Sequence, residues 1–400
     1  MIRTAIIGIS GYGRVHLRLM RWGEQSGHIK PVAAVVINPS SEEENIKSLQ
    51  ASGCQIFDST EAMWKELRGQ IDLCLIPTPI QTHYRFTKEA IENGSDVFVE
   101  KPLTGSLAEA KAIAELARQH QRKVCVGFQD LYYPLNHRIK NLILEGCLGE
   151  IKSVKGIGSW PRMHSYFERS DWAGRRILNG SNVNDSPISN AMAHFLMLML
   201  FWSGKDFYSV AHCENLEAEL YRFQNIENFD TASIKARTSS GIDLFYTITH
   251  SAKEMLQPRI LICGSKGEIE WNHGGKIHIR TENQTETFSQ EELEAIRLHM
   301  FKEVLLHLQE GKAIVATIDN SIKHTEIIQK LADDYKILEV ERSKLKETDG
   351  ENNRKQTYLP GLLKTLQASF KNECMLSEQW RSPQKNTKVS RQKKLGSLIS

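Results

Sequence analysis

Between Thr4 and Gly127, short apolar runs alternate with stretches of helical periodicity, and few folds accommodate that order. Runs at Thr4–Gly8, Val32–Ile37, Ile71–Ile76, Asp96–Val99 and Lys123–Gly127 read as strands buried on both faces. Helices are predicted over Gly13–Trp22 and Thr60–Leu67, from about Gln81 to a stop at Gly94, and from Ser106 to about His120. Asp58 with Glu61, and Ser106 with Glu109, have capping-box spacing. Strands that alternate with helices are joined by crossovers, so residues 1–127 predict a doubly wound parallel sheet, an α/β Rossmann-type domain.

The pattern changes after Gly127. Pro134 opens a helix that ends at Gly146, and Ile151–Trp160 alternates as a strand. Pro187 opens a strongly apolar helix to about Trp202. Strand-like runs follow near Phe207–Leu220, Thr231–Ser239, Ile242–His250, Arg259–Cys263 and Lys276–Arg280, separated by turn residues such as Ser240-Gly241 and Gly274-Gly275. Glu291–Gln309 and Asn320–Tyr335 read as closing helices. Residues 128–340 therefore predict an α+β domain with a mostly antiparallel open sheet. Such a sheet has one uncovered face that must pair with something, so a homodimer or homotetramer is expected. From 341 to 400 the chain turns polar and basic, and a mostly disordered tail is expected, with one short amphipathic helix within Leu359–Phe370. That tail is expected to be dispensable for folding.

Composition narrows the function classes. Hydrophobic residues make up 40% and charged residues 25% of the 400, an ordinary globular mixture. The longest nearly apolar stretch, Ala191–Trp202, is too short for the roughly 20 residues of a bilayer span. The first residues enter a strand with no signal-peptide pattern. Seven cysteines, an odd count with no C-x-x-C, fit free thiols in the cytoplasm and neither a disulfide framework nor a zinc site. The segment from Arg342 onward holds 13 Lys/Arg against 5 Asp/Glu, which leaves the remainder mildly acidic. An acidic body argues against a nucleic-acid-binding fold.

Three clusters carry chemistry. Gly8-Ile-Ser10-Gly11-Tyr12-Gly13 follows the first strand and opens the first helix, the context of a dinucleotide fingerprint. The first glycine permits the tight turn and the third a close helix–strand approach. Ser10 stands at the second glycine's place, with Gly11 beside it. On these residues alone, a glycine-rich turn without a ligand reads as well. Asn38 ends the second strand, where an acid usually binds the ribose hydroxyls of NAD. Asn neither repels nor attracts a 2′-phosphate, so NAD and NADP both stay open. Further on, Pro77-Thr78-Pro79 leads into His83, and the next strand runs into Glu100-Lys101-Pro102.

These clusters, with the Gly127-Phe-Gln129 strand end and Gly149-Glu-Ile151, resemble the glucose–fructose oxidoreductase and inositol dehydrogenase family (Gfo/Idh/MocA) over roughly residues 1–340. The resemblance implies NAD or NADP held by Gly8, Ser10, Gly11, Tyr12, Gly13, Asn38, Pro77, Thr78, Pro79, His83, Glu100, Lys101, Pro102 and Gln129. It places Lys101 against both nicotinamide and substrate, where desolvation would lower an amine's pKa and suit proton transfer. Pro102 would fix the backbone so that Lys101 points inward, through a cis bond if needed. The resemblance also matches His194 to an acid/base histidine, with Asn190 where the family has an Asp. On one helix face, residues four apart would both reach the substrate. A lone histidine among Phe, Leu and Met also reads as a core residue. Arg162, Tyr166 and Trp172 are expected to face a polyhydroxylated ring, and Tyr132 and Tyr133 are weaker candidates.

The function so implied is hydride transfer between nicotinamide and a carbinol carbon of a sugar, cyclitol or derivative, with no metal. A redox-neutral sugar reaction using bound NAD, and a non-catalytic nucleotide- or sugar-binding relative, are the alternatives. No nucleic-acid or membrane partner is expected.

Overall fold

Parallel pairing of short apolar strands organises the first of two compact units (residues 1–145, 175–212 and 290–330) in the computed structural model, which describes residues 1–282, 284–349 and 355–380. Six strands, β1 (Ile2–Ile7), β2 (Ile29–Val35), β3 (Gln55–Phe57), β4 (Leu73–Ile76), β5 (Asp96–Val99) and β6 (Val124–Val126), lie in the order β3-β2-β1-β4-β5-β6, all parallel. β4 is buried at every position, as a strand covered by helices on both faces must be. The connections include α1 (Gly13–Gln25), α2 (Glu43–Ala51), α3 (Thr60–Leu67), α4 (Ile80–Glu92) and α5 (Leu107–His120). Ser106 caps α5 as its spacing predicts. At α3 the cap is Ser59, whose hydroxyl accepts from Ala62 N, and Asp58 instead accepts from that hydroxyl. α6 (Pro134–Leu144) and α7 (Ala193–Trp202) belong to this unit, as does α8 (Leu293–Glu310).

α7 corrects one expectation. The helix predicted from Pro187 begins only at Ala193. Ser189 Oγ donates to Asn184 O and receives Ser186 N, so residues 186–192 are folded into turns before the helix starts. Short hydroxyl side chains compete with helical hydrogen bonds in this way.

The second unit (146–174, 213–289 and 331 onward) is built on a nine-stranded sheet. Its strands are β7 (Ile151–Ser159), β8 (Cys213–Arg222), β9 (Thr231–Thr238), β10 (Asp243–Thr249), β11 (Leu256–Gly264), β12 (Gly267–Asn272), β13 (Lys276–Thr281), β14 (Thr285–Ser289) and β15 (Ile337–Glu339). They run in the order β14-β13-β12-β11-β7-β10-β9-β8-β15, antiparallel except at β7–β10 and β8–β15. The strand expected from Phe207 starts at Cys213, and β12 and β14 were not predicted. β12 carries Glu268 and Glu270 on alternate positions, and β14 is polar except for Phe288, which dilutes an apolar strand signal.

The expectation of a disordered tail from 341 is corrected at 346–349 and 355–380. β16 (Lys346–Asp349) pairs with β17 (Lys355–Tyr358), and the helix Leu362–Asn372 follows. Leu362, Leu366 and Phe370 of that helix are 1%, 0% and 5% exposed, packed with Ile157 and Phe245 of the sheet and with Phe223 just past the end of β8. Each such side chain contributes roughly 1.5–3 kcal/mol by burial. The basic stretch 381–400 lies outside the described residues.

Candidate active site

In a parallel sheet the strand order reverses at a crevice outside the strands' C-terminal ends. Here the reversal lies between β1 and β4, where Gly8 follows one strand and Pro77-Thr78 the other. A Cβ at Gly8 would lie 3.5 Å from Thr78 Cγ2, so the two motifs meet. Gly8 and Gly11 have φ of +85° and +57°, the left-handed region that favours glycine. A Cβ at Gly13 would stand 2.5 Å from Gly8 O, so only glycine lets α1 start this close to β1. Nothing lies within 4 Å of a Cβ at Gly11, which leaves space outside the turn. An open glycine turn at the N-terminus of a 13-residue helix fits the pyrophosphate of a dinucleotide. Ser10 is exposed at the turn. Tyr12 sits at the helix N-cap with the Arg297 guanidinium 5.5 Å over its ring.

Asn38 is exposed and precedes a short turn, Pro39–Ser41. The acid that sequence spacing did not find is Glu42, only 3% exposed. Arg14 Nη2 donates to its Oε1 at 2.8 Å and Asn45 Nδ2 to its Oε2 at 2.6 Å. Burial pushes this carboxyl up, but hydrogen bonds from Arg14, Asn45 and Ser10 outweigh it and hold the pKa below the usual value. Arg14, Ser40, Ser41, Glu42, Glu43 and Asn45 line one cleft beside the glycine turn.

Two residues of the next motifs are spent on architecture. Glu100 is 6% exposed, and Gly127 makes room for it: a Cβ there would fall 2.7 Å from Glu100 Oε1. His16 Nε2 lies 2.8 Å from Glu100 Oε1, and Lys101 N donates to Oε2 at 3.2 Å. Burial raises the carboxyl's pKa, but the His16 hydrogen bond and charge overcome it and the net shift is downward. His83 is 1% exposed, with Nδ1 2.8 Å from Pro102 O and Nε2 2.8 Å from Thr78 O. Burial lowers its pKa. The ring therefore sits between the two strand-end loops, and as a neutral imidazole it donates its one N–H to one of the two carbonyls.

Lys101 precedes a cis peptide bond to Pro102. Its Nζ donates to Asn190 Oδ1 at 2.9 Å and to Asn190 O at 3.0 Å. Asn190 Nδ2 in turn donates to Asp185 Oδ1 at 2.9 Å. Asn190 and His194 do not share a helix face, because Asn190 lies in the turn before α7. The carboxylate nearest His194 comes from elsewhere: Asp130 Oδ2 is 3.5 Å from His194 Nδ1. Asp130 is 2% exposed, and burial raises its pKa to about 7 against hydrogen bonds from its own backbone and Gln129. Phe128 separates two imidazoles, with His194 edge-on at 6.1 Å and His324 at 5.2 Å. His324 is fully buried, its Nε2 3.0 Å from Ile188 O, and burial brings its pKa down to about 4. Tyr132 and Tyr133 are core residues, one donating to Val126 O and the other receiving Glu291 N.

Asp130, Asp185, Glu42 and His324 were missed. Only Asp130 carried a signal, its place directly after Gln129. Arg162, Tyr166 and Trp172 belong to the second unit, in a stack of their own: Arg162 lies 4.5 Å over Tyr166, and Arg169 lies 3.6 Å over Tyr166 and 4.9 Å over Trp172.

The Asp130 pKa carries a stability consequence. A carboxyl shifted up from 3.8 to about 7 in the fold favours the neutral form, so its contribution is present below pH ~4 and lost as pH rises through ~7. Asp130→Asn is therefore expected to be more stable than wild type at pH 8, by up to about 4 kcal/mol, with the gap closing near pH 4. Urea unfolding at both pH values checks this, and an equal gap at both would contradict it.

Residues 2–128 match the family described as "Oxidoreductase family, NAD-binding Rossmann fold", and residues 136–270 match the GFO/IDH/MocA C-terminal domain. A dTDP-3,4-didehydro-2,6-dideoxy-alpha-D-glucose 3-reductase of Streptomyces violaceoruber is 26% identical over 154 residues, 38% of this chain and 44% of that protein. The first curated relatives are thus matched over less than half their length. Inositol 2-dehydrogenase of Rhizobium meliloti is 24% identical over 272 residues, 67% of this chain and 74% of the relative. The WlbA dehydrogenase of Bordetella pertussis, solved with NADH and UDP-GlcNAcA, superposes with a TM-score of 0.67 at 19% identity, covering 83% of this chain and 95% of that one.

Proposed function

As this chain belongs to the GFO/IDH/MocA oxidoreductase family, with its NAD-binding Rossmann fold, we propose that it oxidises or reduces a carbinol carbon of a sugar, cyclitol or derivative. The observation that carries this reading is the Lys101 amine, held at the strand-end crevice by the neutral acceptors Asn190 O and Oδ1. Gly8, Gly11 and Gly13 would hold the pyrophosphate, and Thr78 and Pro79 would flank the nicotinamide. NAD bound there supplies the hydride acceptor or donor.

The protein's own part is orientation and proton handling. Lys101 positions the substrate hydroxyl with its ammonium hydrogens. His194 takes the hydroxyl proton, and Asp130 as carboxylate stabilises the imidazolium that results. The Asn190–Asp185 hydrogen bond fixes the amide so that Oδ1 faces Lys101. Relatives named for a deoxysugar nucleotide and for inositol support a polyhydroxylated ring as substrate. Seven free thiols support a reducing, cytoplasmic setting. Among the described residues, no helix is long and apolar enough to cross a membrane. A panel of sugars, inositols and sugar acids, assayed with NAD and with NADP by reduced-cofactor absorbance, tests the reading. Turnover of one class of polyol is expected. Failure of every polyol, with NAD binding intact, would overturn the substrate assignment.

Glu42 sets the expected cofactor choice. Its ionised carboxylate, beside Glu43 in the cleft next to the glycine turn, repels a 2′-phosphate, and it occupies Arg14, the cation that would otherwise attract one. Glu42→Gln is expected to raise the NADP-to-NAD ratio of kcat/KM by at least about 10-fold, the effect of roughly one charge–charge contact. An unchanged ratio would remove Glu42 from this role.

A further inference from the structure

An open sheet with an apolar face needs a cover, and a second copy of the chain was expected to supply it. We propose that residues 355–380 supply that cover within the same chain, so that this face is not a subunit interface. Cross-strand register shows which residues share the face. Lys235, Phe245, Lys155, Leu261, Glu270 and His278 form one row across β9, β10, β7, β11, β12 and β13. Only the middle of the face is apolar, and its outer strands carry pairs such as Arg280–Glu268 and Arg259–Glu270. The cover is needed over the middle alone, and that is where the terminal helix packs.

The terminal helix α9 (Leu362–Asn372) is built for one layer only. Leu362, Leu366 and Phe370, four apart, face the sheet, whereas Lys364, Gln367 and Lys371 are exposed. Trp380 continues the cover, its ring edge-on to Tyr221 at 4.9 Å, and Ser377 N donates to Glu219 Oε2. Lys155 makes the assignment specific. It stands in the apolar middle at 9% exposure, its Nζ donates to Glu373 Oε1 at 2.7 Å, and it lies 5.2 Å over the Phe370 ring. A second copy laid on this face by a two-fold axis would bring two such lysines into one apolar interface without that carboxylate.

Thermal melting and sedimentation of the full chain test the proposal. Lys155→Glu is expected to lower Tm by roughly 5 °C because Lys155 is buried, Glu373→Lys to lower it by less because the Glu373 side chain is 42% exposed, and the double variant to recover most of the loss. Lys364→Glu with Lys371→Glu, on the outer face, is expected to leave both Tm and sedimenting mass unchanged. Two results would overturn the proposal: no recovery in the charge-swapped variant, or a change of mass on altering the outer face. Should a charge-swap variant fail to fold, the outer-face variant still decides through its mass.

Discussion

Lys101→Met is expected to lower turnover by at least about 100-fold, because the substrate hydroxyl is no longer oriented toward His194 and assisted proton transfer is worth roughly that factor, with NAD affinity changed little. Methionine keeps the length and apolar stem of the side chain, so the glutamate–histidine scaffold beneath it is undisturbed: Glu100 binds the Lys101 backbone N–H, not its amine. What is lost is the ammonium group between Asn190 and the substrate. The measurement is kcat on an established substrate beside NAD titration by fluorescence. A loss confined to KM would mean that Lys101 only binds substrate, and a loss of NAD affinity would mean that the loop itself had moved.

His194→Ala is expected to cost at least about 100-fold as well. In the oxidation direction the ring must accept a proton, and the Asp130 carboxylate 3.5 Å away stabilises the imidazolium only when it is ionised. Because Asp130 titrates near 7, oxidation rises with pH through that region. Asp130→Asn removes this dependence and leaves a lower, flatter profile, whereas reduction, which needs the protonated ring, keeps its acid-side optimum. A His194→Ala enzyme at the wild-type rate would make His194 a core residue beside Phe128. A pH profile unaltered by Asp130→Asn would break the link between the two.

Five strands of the parallel sheet were legible because their apolar runs are largely buried and each break carries a turn or cap residue, whereas the edge strand β3 (Gln55–Phe57), with no buried position, left no such run. The glycine turn was legible because left-handed φ at Gly8 favours glycine, and the Lys101 loop because Glu100-Lys101-Pro102 resembles the family's motif. The carboxylates were not. Asp130, Asp185 and Glu42 act across 64, 5 and 28 positions of sequence, on His194, Asn190 and Arg14, and no local spacing marks such pairs. Asn190 shows the same limit from the other side. Its four-residue spacing from His194 implied a shared helix face, but the Ser189 hydroxyl holds the preceding segment in turns. The terminal helix was seen as an amphipathic pattern, yet what it covers depends on a sheet face assembled from strands up to about 200 residues away.

The most direct measurement of the central claim is the fate of a labelled hydride. A polyol substrate deuterated at the reacting carbinol carbon, turned over with NAD, is predicted to deliver deuterium to the nicotinamide C4 of NADH, with one equivalent of NADH formed per ketone and both lost in Lys101→Met. Substrate consumed without net NADH, or NADH formed without the label, would contradict it.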